Sequence, residues 1–131
     1  MTETIKITTE LEVSRERISD LLCTAFEGGS NYWIGGVEYV MPDNPTFVPT
    51  YNGKAYPKYL WVPLNDGGTI KIRPDGSPLW HHLGEFQIAA GLRLLSSEYP
   101  EHWQKFMTEN EDAGTGDVFL QLCLFGEVKY S

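Results

Sequence analysis

Residues 14–33, SRERISDLLCTAFEGGSNYW, decide how this chain folds. Ser14 suits a helix N-cap, because its hydroxyl accepts a bond from a free first-turn amide. Val13 before it and Ile18 at the fourth helical position are placed to form a hydrophobic staple. Ile18, Leu21, Leu22, Ala25 and Phe26 keep the i, i+3, i+4, i+7, i+8 spacing of a core-facing helix. Gly28 and Gly29 end it, since glycine takes a left-handed cap conformation without a Cβ clash. A phosphate-binding glycine run opens a helix, and this one closes it. The helix is therefore expected to be the seat on which the other elements pack.

Upstream, Thr2–Thr9 alternates, with Ile5 and Ile7 on one face, and predicts a strand that runs on through Leu11 to Val13. Downstream, Asn31–Val40 is aromatic and β-branched and predicts a second strand, with a bulge at Gly35-Gly36. Residues 41–57 carry Pro42, Pro45, Pro49 and Pro57 and predict a loop, long enough to suggest function or mobility. Lys58–Leu64 and Gly68–Arg73 predict a hairpin turning at Asn65-Asp66-Gly67-Gly68. Pro74-Asp75-Gly76 is another turn.

From Ser77 the pattern becomes helical, with Pro78 at the first position, Leu79, Leu83, Phe86, Ala90 and Leu94 as one stripe, and Ile88, Leu92 and Leu95 broadening it so that more than one side is buried. Gly91 within it suggests a close packing point. A short helix follows from Pro100 to Asn110, with Trp103, Phe106 and Met107 inward. Glu109–Gly116 is an acidic loop. Asp117–Phe125 is a last helix, capped by Thr115 and stopped by Gly126, and Glu127–Tyr130 is expected to close as a strand. Strands and helices do not alternate as in a parallel fold. The expected class is α+β: a small antiparallel sheet packed against an N-terminal helix and a C-terminal group of helices, in a single compact domain over residues 1–131.

The chain has 131 residues, 41% of them hydrophobic, which suffices for a core without disulfides or metal. No run of about 18 apolar residues is present to span a membrane, and the N-terminus lacks the order of a signal peptide. Cys23 and Cys123 sit in apolar helical patterns and read as buried, reduced thiols of a cytoplasmic protein. With 18 acidic against 10 basic residues the net charge is −8, which disfavours direct contact with nucleic acid. An acidic surface that competes for a partner's basic groove is the sharper reading of that charge.

His81-His82-x-x-Glu85 is the best metal or acid–base candidate, because on a helix His82 and Glu85 share a face. His81 points about 100° away, so a metal would need further ligands such as His102. Surface histidines near a helix start are the plainer reading, and no metal or cofactor is expected. The thiols are in settings that keep them protonated, and no nucleophile elbow, C-x-x-C or H-E-x-x-H occurs. Catalysis is therefore not the expected activity. Tyr32, Trp33, Tyr39, Tyr51, Tyr56, Tyr59, Trp61 and Trp80 crowd the first two thirds of the chain. Those not in the core are available to stack on a flat ligand, with Lys54, Lys58, Lys71 and Arg73 near in sequence to hold a phosphate.

At EGGSNYW and at DVFLQLCLFGEVKY the sequence resembles a group of small phage and prophage proteins. Their first helix ends in T-A-L-E-G-G-x-N-Y-W, matched here by Thr24, Ala25, Glu27, Gly28, Gly29, Asn31, Tyr32 and Trp33, with Phe26 for leucine. They close with A-L-F-G-E-x-x-Y, matched by Leu124, Phe125, Gly126, Glu127 and Tyr130. The resemblance implies a phage accessory gene product, and such proteins often switch off host defences. It carries over no catalytic residue.

The leading expectation is a phage-encoded counter-defence protein in the host cytoplasm. It would act like an anti-CRISPR inhibitor, by stoichiometric binding to a host defence protein, through an acidic surface. A sponge for a nucleotide signal and a phage structural or morphogenetic protein are the alternatives. Asn31, Tyr32, Trp33, Trp80, Glu109, Glu111 and Asp112 are the candidate ligand- or partner-binding residues, and a homodimer is the expected assembly.

Overall fold

The computed structural model describes residues 3–5 and 10–131. Its class is α+β. The strand expected at Thr2–Thr9 lies largely outside the described residues, and its proposed continuation through Leu11 to Val13 has no strand pairing.

Helix α1 spans Arg15–Thr24. The Arg17 amide donates to Ser14 Oγ at 3.2 Å, so the expected N-cap forms. Ile18, Leu21, Leu22 and Ala25 are buried and Phe26 is half-buried, which gives the expected apolar stripe. The helix does not end in a left-handed glycine. It widens into a π-helical turn over Ala25–Gly29. Gly29 serves close approach: a Cβ there would run into the Ala113 carbonyl.

Strand β1 covers Ile34–Val40. Its register shifts between Ile34 and Gly36, where the bulge was expected, and Asn31–Trp33 form a turn before it. The proline-rich stretch holds a two-residue hairpin, β2 (Thr50–Tyr51) with β3 (Lys54–Ala55), turning through Asn52 and Gly53 at φ 53° and 77°. Asn65 fastens this loop to the body. Its Oδ1 accepts the Thr46 and Phe47 amides at 2.7 and 2.9 Å, and its Nδ2 donates to the Phe47 and Trp61 carbonyls at 2.8 and 2.7 Å.

The hairpin expected from Lys58–Leu64 and Gly68–Arg73 does not form. Lys58–Leu60 and Val62–Leu64 are two 3-10 turns, with Pro57 and Pro63 lacking the amides a strand ladder needs. Strand β4, Thr69–Pro74, instead lies antiparallel to β1, pairing Val37 with Ile72 and Glu38 with Lys71. Along β4, Ile70, Ile72 and Pro74 are buried, while Thr69, Lys71 and Arg73 alternate to the outer face.

The helix expected from Ser77 begins later. His81–Leu83 form β5 on the other side of β4, in the order β1-β4-β5, and burying Leu83 against Ile70 outweighs the helical register. Helix α2 is Glu85–Glu98, with Gln87 Oε1 accepting the Gly84 amide at 3.0 Å. The expected stripe is corrected accordingly. Leu79 and Phe86 are 64% and 79% exposed, whereas Ile88 and Leu95 are buried as expected, together with Gly91. Helix α3, Pro100–Met107, buries Phe106 and half-buries Trp103, but Met107 is 49% exposed.

Helix α4, Ala113–Phe125, starts four residues earlier than expected. Asp112, rather than Thr115, is its cap: Asp112 Oδ1 accepts the Thr115 amide at 2.9 Å. Its stop at Gly126, φ 73°, is the expected left-handed one. Apolar nearly all round, α4 is the buried helix against which α1, α2, α3 and β5 pack. This corrects the reading of α1 as the seat of the fold. Two glycines permit the packing. A Cβ at Gly116 would strike Thr24 and the Ala25 amide, and one at Gly91 would strike Cys123. The chain after α4 forms no strand; its amides are taken by a side chain of α4.

Gly116→Val is expected to force α1 and α4 apart and to cost about 3 kcal/mol or more. Urea denaturation followed by circular dichroism should show a lower midpoint with a preserved helical baseline.

Candidate functional site

The tight turn after α1 brings Ser30, Tyr32 and Trp33 to one carboxylate on the second turn of α4. Asp117 Oδ1 accepts from Ser30 Oγ at 2.9 Å, Trp33 Nε1 at 2.8 Å and Gln121 Nε2 at 3.1 Å. Asp117 Oδ2 accepts from the Tyr32 hydroxyl at 2.7 Å. Burial and the adjoining Asp117 push the Tyr32 phenol up to about 12, so it stays a donor. Trp33 is buried, stacked on Tyr130 at 5.3 Å and tilted against Phe125 at 5.6 Å.

Gln121, fully buried, completes the corner. Its Oε1 accepts the Lys129 and Tyr130 amides at 2.7 and 2.9 Å, and its Nε2 also donates to the Tyr130 carbonyl at 3.1 Å. Tyr32 and Trp33 are thereby a fixed corner of the fold. Asn31 is exposed and its side chain enters no hydrogen bond among the described residues. Asp117, Gln121 and Ser30 were not singled out from sequence. The N-Y-W and D-V-F-L-Q segments each stood out, but only the fold joins them.

Trp80 is not held by Asp117 or Gln121. It covers the outer face of the sheet, with Lys71 Nζ at 5.4 Å and the Arg73 guanidinium at 5.5 Å from its ring. Both cations are already engaged. Lys71 pairs with Glu38 at 3.4 Å, and Arg73 donates to the Ser77 and Gly35 carbonyls at 3.1 and 3.3 Å.

The three acidic candidates also separate. Glu111 receives both forks of Arg17, at 2.7 and 2.9 Å. Arg17 donates further to the Phe106 carbonyl at 2.6 Å and to Asp20 at 2.8 Å, and lies over the Phe106 ring. Burial alone would raise the Glu111 carboxyl, and the guanidinium outweighs it, holding it below the usual carboxylate range. Asp112 caps α4 and pairs with Lys105 at 3.1 Å, and these contacts, the Thr115 amide foremost, bring it down to about 2. Glu109 is exposed, 4.0 Å from Arg17. Glu111 is thus tied to α1 and Asp112 to the start of α4, while Glu109 and Asp112 stay exposed.

His82 and Glu85 do not share a helix face, because His82 stands on the outer side of β5 and Glu85 opens α2. His81 packs edge-on against Phe125, and burial lowers its pKa. His102 bonds Thr115 at 2.9 Å. Among the described residues no three metal-ligating side chains converge. Cys23, half-buried, donates to Glu27 at 3.0 Å and is pushed up to about 11 by burial and that carboxylate, while burial raises Cys123 well above its ordinary value. Both thiols are free and stay protonated.

Two concavities among the described residues bear on binding. A groove of about 800 Å³ runs between the segment before α1 and α2, floored by Val13, Ile18, Ile88, Leu92 and Trp103. A second, of about 450 Å³, lies between α1 and the proline-rich loop. Glu16, Asp20 and Glu27 rim it, and Phe47, Tyr56 and Leu60 line it. Those carboxylates recur at i, i+4 and i+11 along one side of α1 and its π turn, and all three are exposed.

Asp117→Ala leaves the Trp33 indole and the Gln121 amide without their acceptor, and is expected to cost about 3 kcal/mol. Asn31→Ala is expected to stay within about 0.5 kcal/mol of the parent. Paired chemical denaturation curves check both. Glu111 has its pKa depressed on folding, so its contribution is present above the ordinary value of 4.5 and is lost as pH falls through the folded value. Asp112 acts alike between 3.8 and about 2. Stability should therefore decline below pH 4.5, and less steeply in Glu111→Gln, as read from tryptophan fluorescence during acid titration.

Comparison of the chain with protein-family models, with curated proteins and with solved structures finds no match.

Proposed function

We propose that this protein is a phage-encoded counter-defence factor that binds a host defence protein stoichiometrically through the acidic side of α1. The observation that carries the reading is the rim of Glu16, Asp20 and Glu27 around an aromatic groove. Carboxylates beside rings of Phe47 and Tyr56 suit the lysine or arginine side chains that line a nucleic-acid-binding groove. Asp20 accepts from Arg17 and Glu27 from Cys23, and all three carboxylates stay exposed at the rim. The net charge of −8 favours approach to such a surface and speeds encounter. The phage origin rests on the resemblance of the EGGSNYW and LFGEVKY segments. Protonated thiols and scattered histidines favour binding over catalysis. The engaged state of Lys71 and Arg73 favours a protein target over a nucleotide held at Trp80.

Bacteria with an active CRISPR system, producing the chain, are expected to plate a targeted phage at least about tenfold better than controls. The double variant Glu16→Lys, Glu27→Lys is expected to fold normally and to lose that gain. Protection that survives the charge reversal, or its absence with every defence system tried, would count against the proposal.

A further inference from the structure

Strand β1 is seven residues long and occupies one end of the sheet, paired on one side only among the described residues. Proteins blunt such edges with lysine, proline or cover. β1 contains neither lysine nor proline. Val37 and Val40 are 37% and 44% exposed, and Met41 just beyond is 45% exposed. The described residues Glu10–Val13 do not cover it. Residues Glu10–Val13 line the groove on the α2 side, and the strand packed against α2 is β5, at the opposite end of the sheet.

We infer that β1 is the interface for a second copy of this chain, pairing antiparallel about Val37 to give a continuous six-stranded sheet. Charge selects this occupant and this register. Pairing centred on Glu38 would set two like charges opposite each other, which is unfavourable. Pairing centred on Val37 sets Val37 against Val37 of the second copy and Glu38 against the second copy's Gly36. Gly36 is where Arg73 leans over the strand: the guanidinium nitrogen lies 3.2 Å from where a Gly36 Cβ would stand. Each Glu38, beside its exposed pair with Lys71, therefore meets an arginine of the other copy that has carbonyl partners but no carboxylate partner among the described residues, twice by symmetry. The missing side chain at Gly36 leaves the room that the Trp80 ring and Arg73 fill. Two copies of a −8 chain repel over most of their surface, whereas this sheet end balances Lys71 and Arg73 against Glu38 and Asp75. A single strand pair buries less than the roughly 1,200 Å² of a standard stable interface, so the dimer is a weak one.

Sedimentation equilibrium over a range from a few micromolar to about one millimolar tests this. Wild-type protein is expected to rise from one chain mass toward two, and Val37→Lys to stay at one chain mass throughout. Phe86→Lys, which removes the most exposed ring of α2, is expected to dimerise like wild type. Wild type that stays monomeric throughout, leaving the edge to a foreign strand, overturns the inference. So does a dimer that Phe86→Lys abolishes and Val37→Lys spares. Should Val37→Lys unfold, amide exchange on wild type decides. Slower exchange in β1 with rising concentration supports the interface, and concentration-independent exchange there overturns it.

Discussion

The Asp117 carboxylate is the constraint on which the rest of this structure depends. Helix α4 is buried by its neighbours, and a buried helix tolerates polar groups only when each finds a partner. Asp117 and Gln121 are the two long polar side chains on its crowded side. Ser30, Tyr32 and Trp33 satisfy the first, and the backbone of Lys129 and Tyr130 satisfies the second. The same bonds fix where β1 leaves α1 and where the chain terminates. The sheet, the α1 turn and the tail are all placed by requirements of one helix.

Much of the local structure was legible because local chemistry wrote it. Ser14 capped α1, Gly126 stopped α4, and Gly35-Gly36 marked the bulge in β1. The errors lay where distant partners decided. Lys58–Leu64 has strand-like composition, yet β4 found β1 as its partner, with paired residues 29 to 40 apart in sequence. His81–Leu83 carries helical spacing, and three residues of pairing with β4 overrode it. The apolar character of α4 was visible throughout, but its rank as the central helix follows only from the glycine contacts at Gly116 and Gly91.

The candidate site was legible in a different way. Tyr32 and Trp33 stood out by composition and proved to be held by Asp117, a residue that sequence reading placed only as the start of the last helix. The acidic residues divide into two populations that composition cannot tell apart. Glu111 and Asp112 answer an arginine and a helix terminus, whereas Glu16 and Glu27 border a groove. A net charge reports their sum, and only geometry reports which of them face outward to a partner.

The bonds to Asp117 also set an order of events. Ser30, Tyr32 and Trp33 are made early in synthesis, and their acceptor lies 84 to 87 residues later. Until α4 has left the ribosome, the first third of the chain has an indole and two hydroxyls with no acceptor and an apolar stripe with no cover. Contacts of such long sequence separation slow folding and keep early segments exposed. Assembly of this domain therefore waits on its last-made helix, and a nascent chain stalled before it carries its longest strand edge uncovered.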